Sequence, residues 1–245
     1  MCTLTWRRFG PDGSAGFELF FNRDEKRTRR AELPPIARRA GHGLALAPRD
    51  SEGGGSWIAV NDRGVAVALL NGYRASDAER VATESRGLLV LRLIAEDDRE
   101  AVVRTLSALD LEPFRSFTLL AFDPHAGPAI ARWDGASLAI DRDTSGLPQF
   151  VTSSSFSAPL VTARRRAEFD RVATERRSAR LLDFHRGHAF GASAWSVCMH
   201  RPDAETRSLT RVRVDGRGVR LDWHAGSPCR RGAAVTATLP LQVRV

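Results

Sequence analysis

A chain of 245 residues with 42% hydrophobic content is long enough to build a sizeable core, in one large domain or two small ones. Its net charge of +8 rests on arginines, with Lys26 the one lysine, and acidic residues are interspersed among them. That skew follows GC-rich codon usage rather than a basic stripe, so no nucleic-acid partner is expected. No apolar run approaches the roughly 18 residues of a membrane helix, and the opening Met1-Cys2-Thr3-Leu4-Thr5-Trp6-Arg7-Arg8 lacks a basic region followed by a long apolar stretch. The sequence therefore reads as a cytoplasmic chain without a membrane span.

Cys2, Cys198 and Cys229 make an odd count with no CxxC spacing, which argues against a disulfide framework and against a structural zinc site. No metal is expected: His185-Arg186-Gly187-His188 lies at or beyond a helix end and has no cysteine ligand near it in sequence. Cys198 reads as a small buried residue of a strand, and Cys229 is given no role. No repeat or linker divides the chain, so one domain over 1–245 is expected.

In chain order, Cys2 to Phe9 and Phe17 to Phe21 read as strands joined by the turn Pro11-Asp12-Gly13-Ser14-Ala15-Gly16. An Arg/Pro-rich loop, a short strand from Leu44 to Ala47 and the flexible loop Glu52-Gly53-Gly54-Gly55-Ser56 follow. No helix or Lys-Ser/Thr pair follows those glycines, so they are expected to let backbone approach the site rather than to hold phosphate. Trp57 to Val60 and Val65 to Leu70 form a hairpin about Asn61-Asp62-Arg63-Gly64, ending on Asn71. Apolar spacing predicts helices over 78–93, with Ser76 and Glu79 as a capping box, and over 99–109. Three strands, Phe117 to Phe122, Ala129 to Trp133 and Ser137 to Ile140, form a meander, and Phe150 to Thr152 adds another. A third helix is predicted from Thr162 to Phe184, with Arg164, Arg165, Arg166, Arg171, Arg176, Arg177 and Arg180 on its wet face. Strands Ala194 to His200, Thr206 to Val214 and Val219 to His224 follow, with an edge strand within 232–245. Antiparallel hairpins interrupted by helix blocks suit two stacked sheets covered by helices, an α+β layered sandwich.

The chemistry begins at Cys2. Removal of Met1 leaves a thiol and an α-amine on one residue, with unperturbed pKa values near ~8.5 and ~8. One residue then supplies a nucleophile and the base that activates it. In Asn22-Arg23-Asp24-Glu25, residues 22 and 24 face one side of a persisting strand and Arg23 the other. Pairing of the first two strands would bring Asp24 beside the Cys2 amine.

Met1-Cys2-Thr3-Leu4, Asn22-Arg23-Asp24-Glu25 and Gly54-Gly55-Ser56-Trp57-Ile58-Ala59-Val60-Asn61-Asp62-Arg63-Gly64 resemble the NRDE family, also called the transport and Golgi organization protein 2 family. Val67-Ala68-Leu69-Leu70-Asn71 matches its next strand, and Ser196-Val197-Cys198-Met199-His200 with Thr206-Arg207-Ser208-Leu209-Thr210 matches a later block. The family in turn resembles the N-terminal-nucleophile hydrolases, which implies a four-layer αββα sandwich. Their penicillin and bile-salt amidases have the closest pattern. It implies that Cys2 is the nucleophile, Asp24 orients its amine, Asn71 donates to an oxyanion, and Arg207 places positive charge near the thiolate. Asn22, Arg23, Trp57, Ser153 and Ser154 are the implied binding residues, with Tyr73 and Phe156 as further candidate walls. Two positions depart from the amidases: Phe21 stands where they have arginine, and Thr152-Ser153-Ser154-Ser155 where they have Thr-Asn-Ser. The resemblance implies a cysteine amidase acting on linear carbon–nitrogen bonds of a small-molecule amide, with no cofactor. The alternative it leaves open is a non-catalytic carrier of a hydrophobic ligand such as haem or lipid.

Overall fold

The computed structural model describes residues 2–10, 16–73, 83–143, 145, 147, 149–173, 178–189 and 191–242. Their strands fall into two antiparallel sheets. One contains β1 (Cys2–Arg8), β2 (Gly16–Lys26), β10 (Gln149–Ser153), β11 (Ala204–Asp215), β12 (Gly218–Ala225) and β13 (Val235–Leu239), ordered β10-β1-β2-β11-β12-β13. The other runs in chain order through β3 (Leu33–Ala40), β4 (Gly43–Arg49), β5 (Ile58–Asn61), β6 (Ala66–Asn71), β7 (Phe117–Asp123), β8 (Ala126–Trp133) and β9 (Leu138–Arg142).

The period of two along each strand explains the layering. Phe17, Leu19 and Phe21 of β2 join Cys2, Leu4 and Trp6 of β1 on the face that meets Ile58, Val60, Ala68 and Leu70 of the other sheet. Phe20, on the opposite face of β2, packs with Phe150, Phe169, Leu181 and Phe184 beneath α3 (Ala158–Ala173) and α4 (Ser178–His185). On the far side of the second sheet, Val67 and Leu69 meet Leu89, Val90 and Leu93 of α1 (Gly87–Leu93) and Val102 and Leu106 of α2 (Arg99–Ala108). The result is the expected α+β sandwich of helices, two sheets and helices. Because β2 is central and covered on both faces, its carboxylate Glu18 is buried too, held by Arg7 at 2.8 Å and Arg211 at 2.5 Å on the flanking strands.

Several elements differ from the sequence expectation. Residues 83–86 are not helical and α1 begins at Gly87, where the backbone turns to meet the loop before β5: Ser56 N–H donates to Gly87 O at 3.0 Å. The capping pair Ser76 and Glu79 lies outside the described residues. The third predicted helix corresponds to two, α3 and α4, on either side of 174–177. Its wet face is not uniformly wet, since Arg165 is fully buried.

The segment 194–200 forms turns rather than a strand, with only His200 bridging Glu205. Two of its carbonyls serve side chains instead of a neighbouring strand: Ser196 O accepts from Arg165 Nη2 at 2.7 Å and Val197 O from Asn22 Nδ2 at 3.0 Å. The Arg/Pro-rich loop contains β3, an edge strand whose register shifts between Leu33 and Ile36, where Pro34 and Pro35 cannot donate to a ladder. Among the described residues, no helix is long and apolar enough to cross a membrane.

Candidate active site

Cys2 opens β1 opposite Arg23 of β2 on one side and Ser153 of β10 on the other. It lines a cavity of about 320 Å³ whose other walls include Asp24, Trp57, Leu69 and Asn71. Asn71 ends β6, paired with Phe117 of β7, so nucleophile and candidate oxyanion donor come from facing sheets. The Asn71 side chain lies close enough to the Tyr73 hydroxyl to favour its ionised form, against a burial that raises the Tyr73 pKa.

The Asp24 backbone N–H lies near enough to the Cys2 thiol to favour its thiolate form. Burial raises its pKa, as does the Asp24 charge, against the pull of Arg23. A thiol held protonated at rest needs a base at the moment of attack.

Asp24 points to the opposite face from Arg23, as the strand alternation requires. Its Oδ1 accepts from Thr206 Oγ1 at 2.6 Å, and its Oδ2 lies 3.7 Å from Arg165 Nη2, with neither side chain of the ion pair exposed. Burial pushes the Asp24 carboxyl above its ordinary pKa, while the Arg165 charge and the Thr206 hydrogen bond oppose that shift. Arg165 also donates to Thr3 Oγ1 at 2.7 Å and Thr152 Oγ1 at 2.9 Å, tying α3 to β1 and β10. It lies near enough to Cys2 for the two charges to interact.

Arg165, rather than Arg207, is therefore the buried cation paired with Asp24, and Arg23, also buried, lines the cavity. Arg207 falls at a break in the β2–β11 register between Thr206 and Ser208, does not line the cavity, and donates to Arg27 O at 3.1 Å. Sequence reading missed Arg165 because it sits in an Arg-Arg-Arg run. A signal was present: Val161, Arg165 and Phe169 recur every fourth residue and share one buried face.

The remaining residues divide clearly. Arg23 lines the cavity with its guanidinium 4.7 Å from the Trp57 ring, and is held by Glu32 at 2.7 Å and by Glu25 and Asp50 at 3.3 Å. Trp57 forms a wall, and its buried Nε1 has no hydrogen-bond partner. Asn22 does not line the cavity; its amide ties β2 to the His185 and Val197 carbonyls at 2.8 and 3.0 Å. The Ser153 hydroxyl is buried without a partner, whereas Ser154 bonds the Phe156 backbone. Phe156 packs edge-on against Trp195 rather than on the cavity.

Gly55 is needed for a close approach: a Cβ there would lie 2.3 Å from the Gly87 carbonyl carbon. That contact brings Glu84, Ser85 and Arg86 to the cavity rim. With Arg23, Arg29, Arg86 and Arg115 against Asp24, Glu25, Asp50 and Glu84, the walls are densely charged, and Trp57 and Leu69 are the large apolar surfaces.

By structure, the chain is similar to the Caenorhabditis elegans ortholog of N-acylethanolamine-hydrolyzing acid amidase, with a TM-score of 0.60, 9% identity and coverage of 86% of this chain and 92% of that one. A mutant conjugated bile acid hydrolase from Clostridium perfringens aligns with a TM-score of 0.54 and 11% identity over 98% of this chain and 96% of that one. Penicillin V acylase from Agrobacterium tumefaciens aligns with a TM-score of 0.52 and 13% identity over 91% and 82%. At such identities the likeness shows the fold, that of the N-terminal-nucleophile hydrolases. No curated protein matches the sequence. The Transport and Golgi organisation 2 model matches residues 1–154, a stretch that carries Cys2, the Asn22–Glu25 string and Asn71, and the chain therefore belongs to the Transport and Golgi organisation 2 family.

Proposed function

We propose that this chain is a cysteine amidohydrolase that cleaves a linear carbon–nitrogen amide bond through an acyl-Cys2 intermediate. The carrying observation is the placement of Cys2 on the cavity wall with Asn71 entering from the facing sheet and Asp24, backed by Arg165, beside it.

In this reading Met1 is removed and the Cys2 α-amine accepts the thiol proton as sulfur attacks the substrate carbonyl. The Asn71 amide stabilises the oxyanion, an interaction worth roughly 3 kcal/mol in comparable sites. The ammonium returns its proton to the departing amine, and water, deprotonated by the amine, then releases the acid. Asp24 orients the amine throughout. The charged walls favour a small amide with a polar or ionised substituent over haem or a lipid, for which an extended apolar lining would be expected.

The test is a panel of small N-acyl amides assayed by mass spectrometry for free amine and acid. Turnover that disappears in Cys2→Ala supports the proposal, and turnover unchanged in that variant overturns it. Saturable stoichiometric haem binding without turnover by the wild type would favour carriage.

A further inference from the structure

Four metal-ligating side chains meet outside the Cys2 cavity. His188 follows α4, Cys198 and His200 lie in the turns before β11, and Cys229 sits in the short 3-10 turn Pro228–Arg230 after β12. One donor atom from each lies within 4.8 Å of all the others, and none of the four residues lines the cavity.

The two sulfur–nitrogen separations at His200 match the edges of a tetrahedral coordination polyhedron. Zinc–sulfur bonds of about 2.3 Å and zinc–nitrogen bonds of about 2.05 Å at tetrahedral angles separate nitrogen from sulfur by roughly 3.6 Å. Here His200 Nε2 lies 3.5 Å from Cys198 Sγ and 3.7 Å from Cys229 Sγ. His188 brings its ring centroid within 5.0 Å of the His200 ring at 64°, and its Nε2 is buried without a hydrogen-bond partner. A buried ring nitrogen lacking a partner requires a physical explanation, and a cation shared with His200 and two thiolates supplies one.

We propose that His188, Cys198, His200 and Cys229 bind one divalent ion of the zinc type in a closed, four-coordinate structural site. Two sulfur and two imidazole donors select a borderline-soft ion over calcium or magnesium. Binding converts both thiols to thiolates and releases their protons to solvent, while both imidazoles bind neutral. Sequence spacing concealed the set because its members come from three separate segments.

The site is a brace for Asp24. Met199, between two of the ligands, exchanges backbone contacts with Thr206: its N–H donates to Thr206 Oγ1 at 2.8 Å, and its carbonyl accepts from Thr206 N–H at 2.9 Å. Thr206 Oγ1 in turn donates to Asp24. Ser227, which opens the turn holding Cys229, donates from Oγ to Thr206 O at 3.1 Å. An ion joining these segments fixes the residue that orients the Asp24 carboxylate. Metal binding itself does not depend on the catalytic reading of Cys2.

The test is elemental analysis of the full chain purified under reducing conditions without chelator, followed by chelation and reloading with Zn²⁺ or Co²⁺. Expected are one zinc per chain, a cobalt adduct with thiolate charge-transfer and tetrahedral d–d absorption, and unchanged stoichiometry in Cys2→Ala. The Cys198→Ser/Cys229→Ser variant should bind at least about 10-fold more weakly. Should that variant not fold, zinc protection of Cys198 and Cys229 from alkylation in the wild type is the equivalent readout. Failure of the reduced wild type to take up zinc overturns the proposal, as does metal lost in Cys2→Ala but retained in the double variant. Purification with a Cys198–Cys229 disulfide that, once reduced, still takes no zinc overturns it equally.

Discussion

Arg165 and Asp24 approach to 3.7 Å with neither side chain exposed, joining α3 to the end of β2 beside Cys2. Removing one member of a buried pair leaves the other charge uncompensated, typically at a cost of about 3–5 kcal/mol. Arg165→Met should therefore destabilise the fold by that order, and Asp24→Asn/Arg165→Met by less than the two single changes added together. Urea unfolding of the four proteins measures this coupling; strict additivity would remove the pair from the account.

Asn71→Ala tests the facing sheet. Losing one oxyanion donor costs roughly 10²–10³-fold in rate, so acylation of Cys2 by an activated aryl ester should slow by that order. The urea midpoint should move little, because the Asn71 side chain is only partly buried at a strand end. Equal rates for variant and wild type would exclude Asn71 as the donor.

His185 gives a pH dependence with a definite sign. Burial, with a contribution from the Arg165 charge, holds its imidazole down at about 3, and its Nε2 shares a hydrogen bond with Thr5 Oγ1 at 2.9 Å. In the unfolded chain the same ring titrates near about 6.5. Between those values the unfolded state binds the extra proton, so the stability contributed by neutral His185 is full above about 6.5 and is lost as pH falls toward 3. Urea midpoints of His185→Gln should decline less than those of the wild type over this window, and parallel declines would contradict the assignment.

Gly55→Ala should cost about 1–3 kcal/mol, because its Cβ would meet Gly87 backbone that cannot swing aside. Gly216→Ala, where nothing lies within 4 Å of the added carbon, is the matched control and should be close to neutral. Thermal unfolding of the two variants decides this. The Gly55 change should also lower acylation of Cys2, since this contact sets the cavity rim.

What was legible in the sequence was chiefly what local pattern encodes. Cys2 and Asn71 stand at strand ends and Asp24 near the end of β2, and hairpin pairing placed Cys2 and Asp24 while the family likeness supplied Asn71. Arg165 was hidden because its partner lies 141 residues earlier in the chain and its neighbours are exposed arginines. The 194–200 segment is apolar enough for a strand, but Asn22 and Arg165 take its carbonyls, a tertiary demand that no local propensity carries. Pro34 and Pro35 concealed β3 because an edge strand tolerates what a central one does not.

Acyl transfer to Cys2 is read most directly from the intact mass and peptide map of the protein after a short exposure to an activated acyl donor. Expected are the absence of Met1 and one acyl group on Cys2 that hydrolyses with time and is missing in Cys2→Ala. Retention of Met1, or acyl groups on other residues with Cys2 unmodified, would contradict the acyl-Cys2 mechanism.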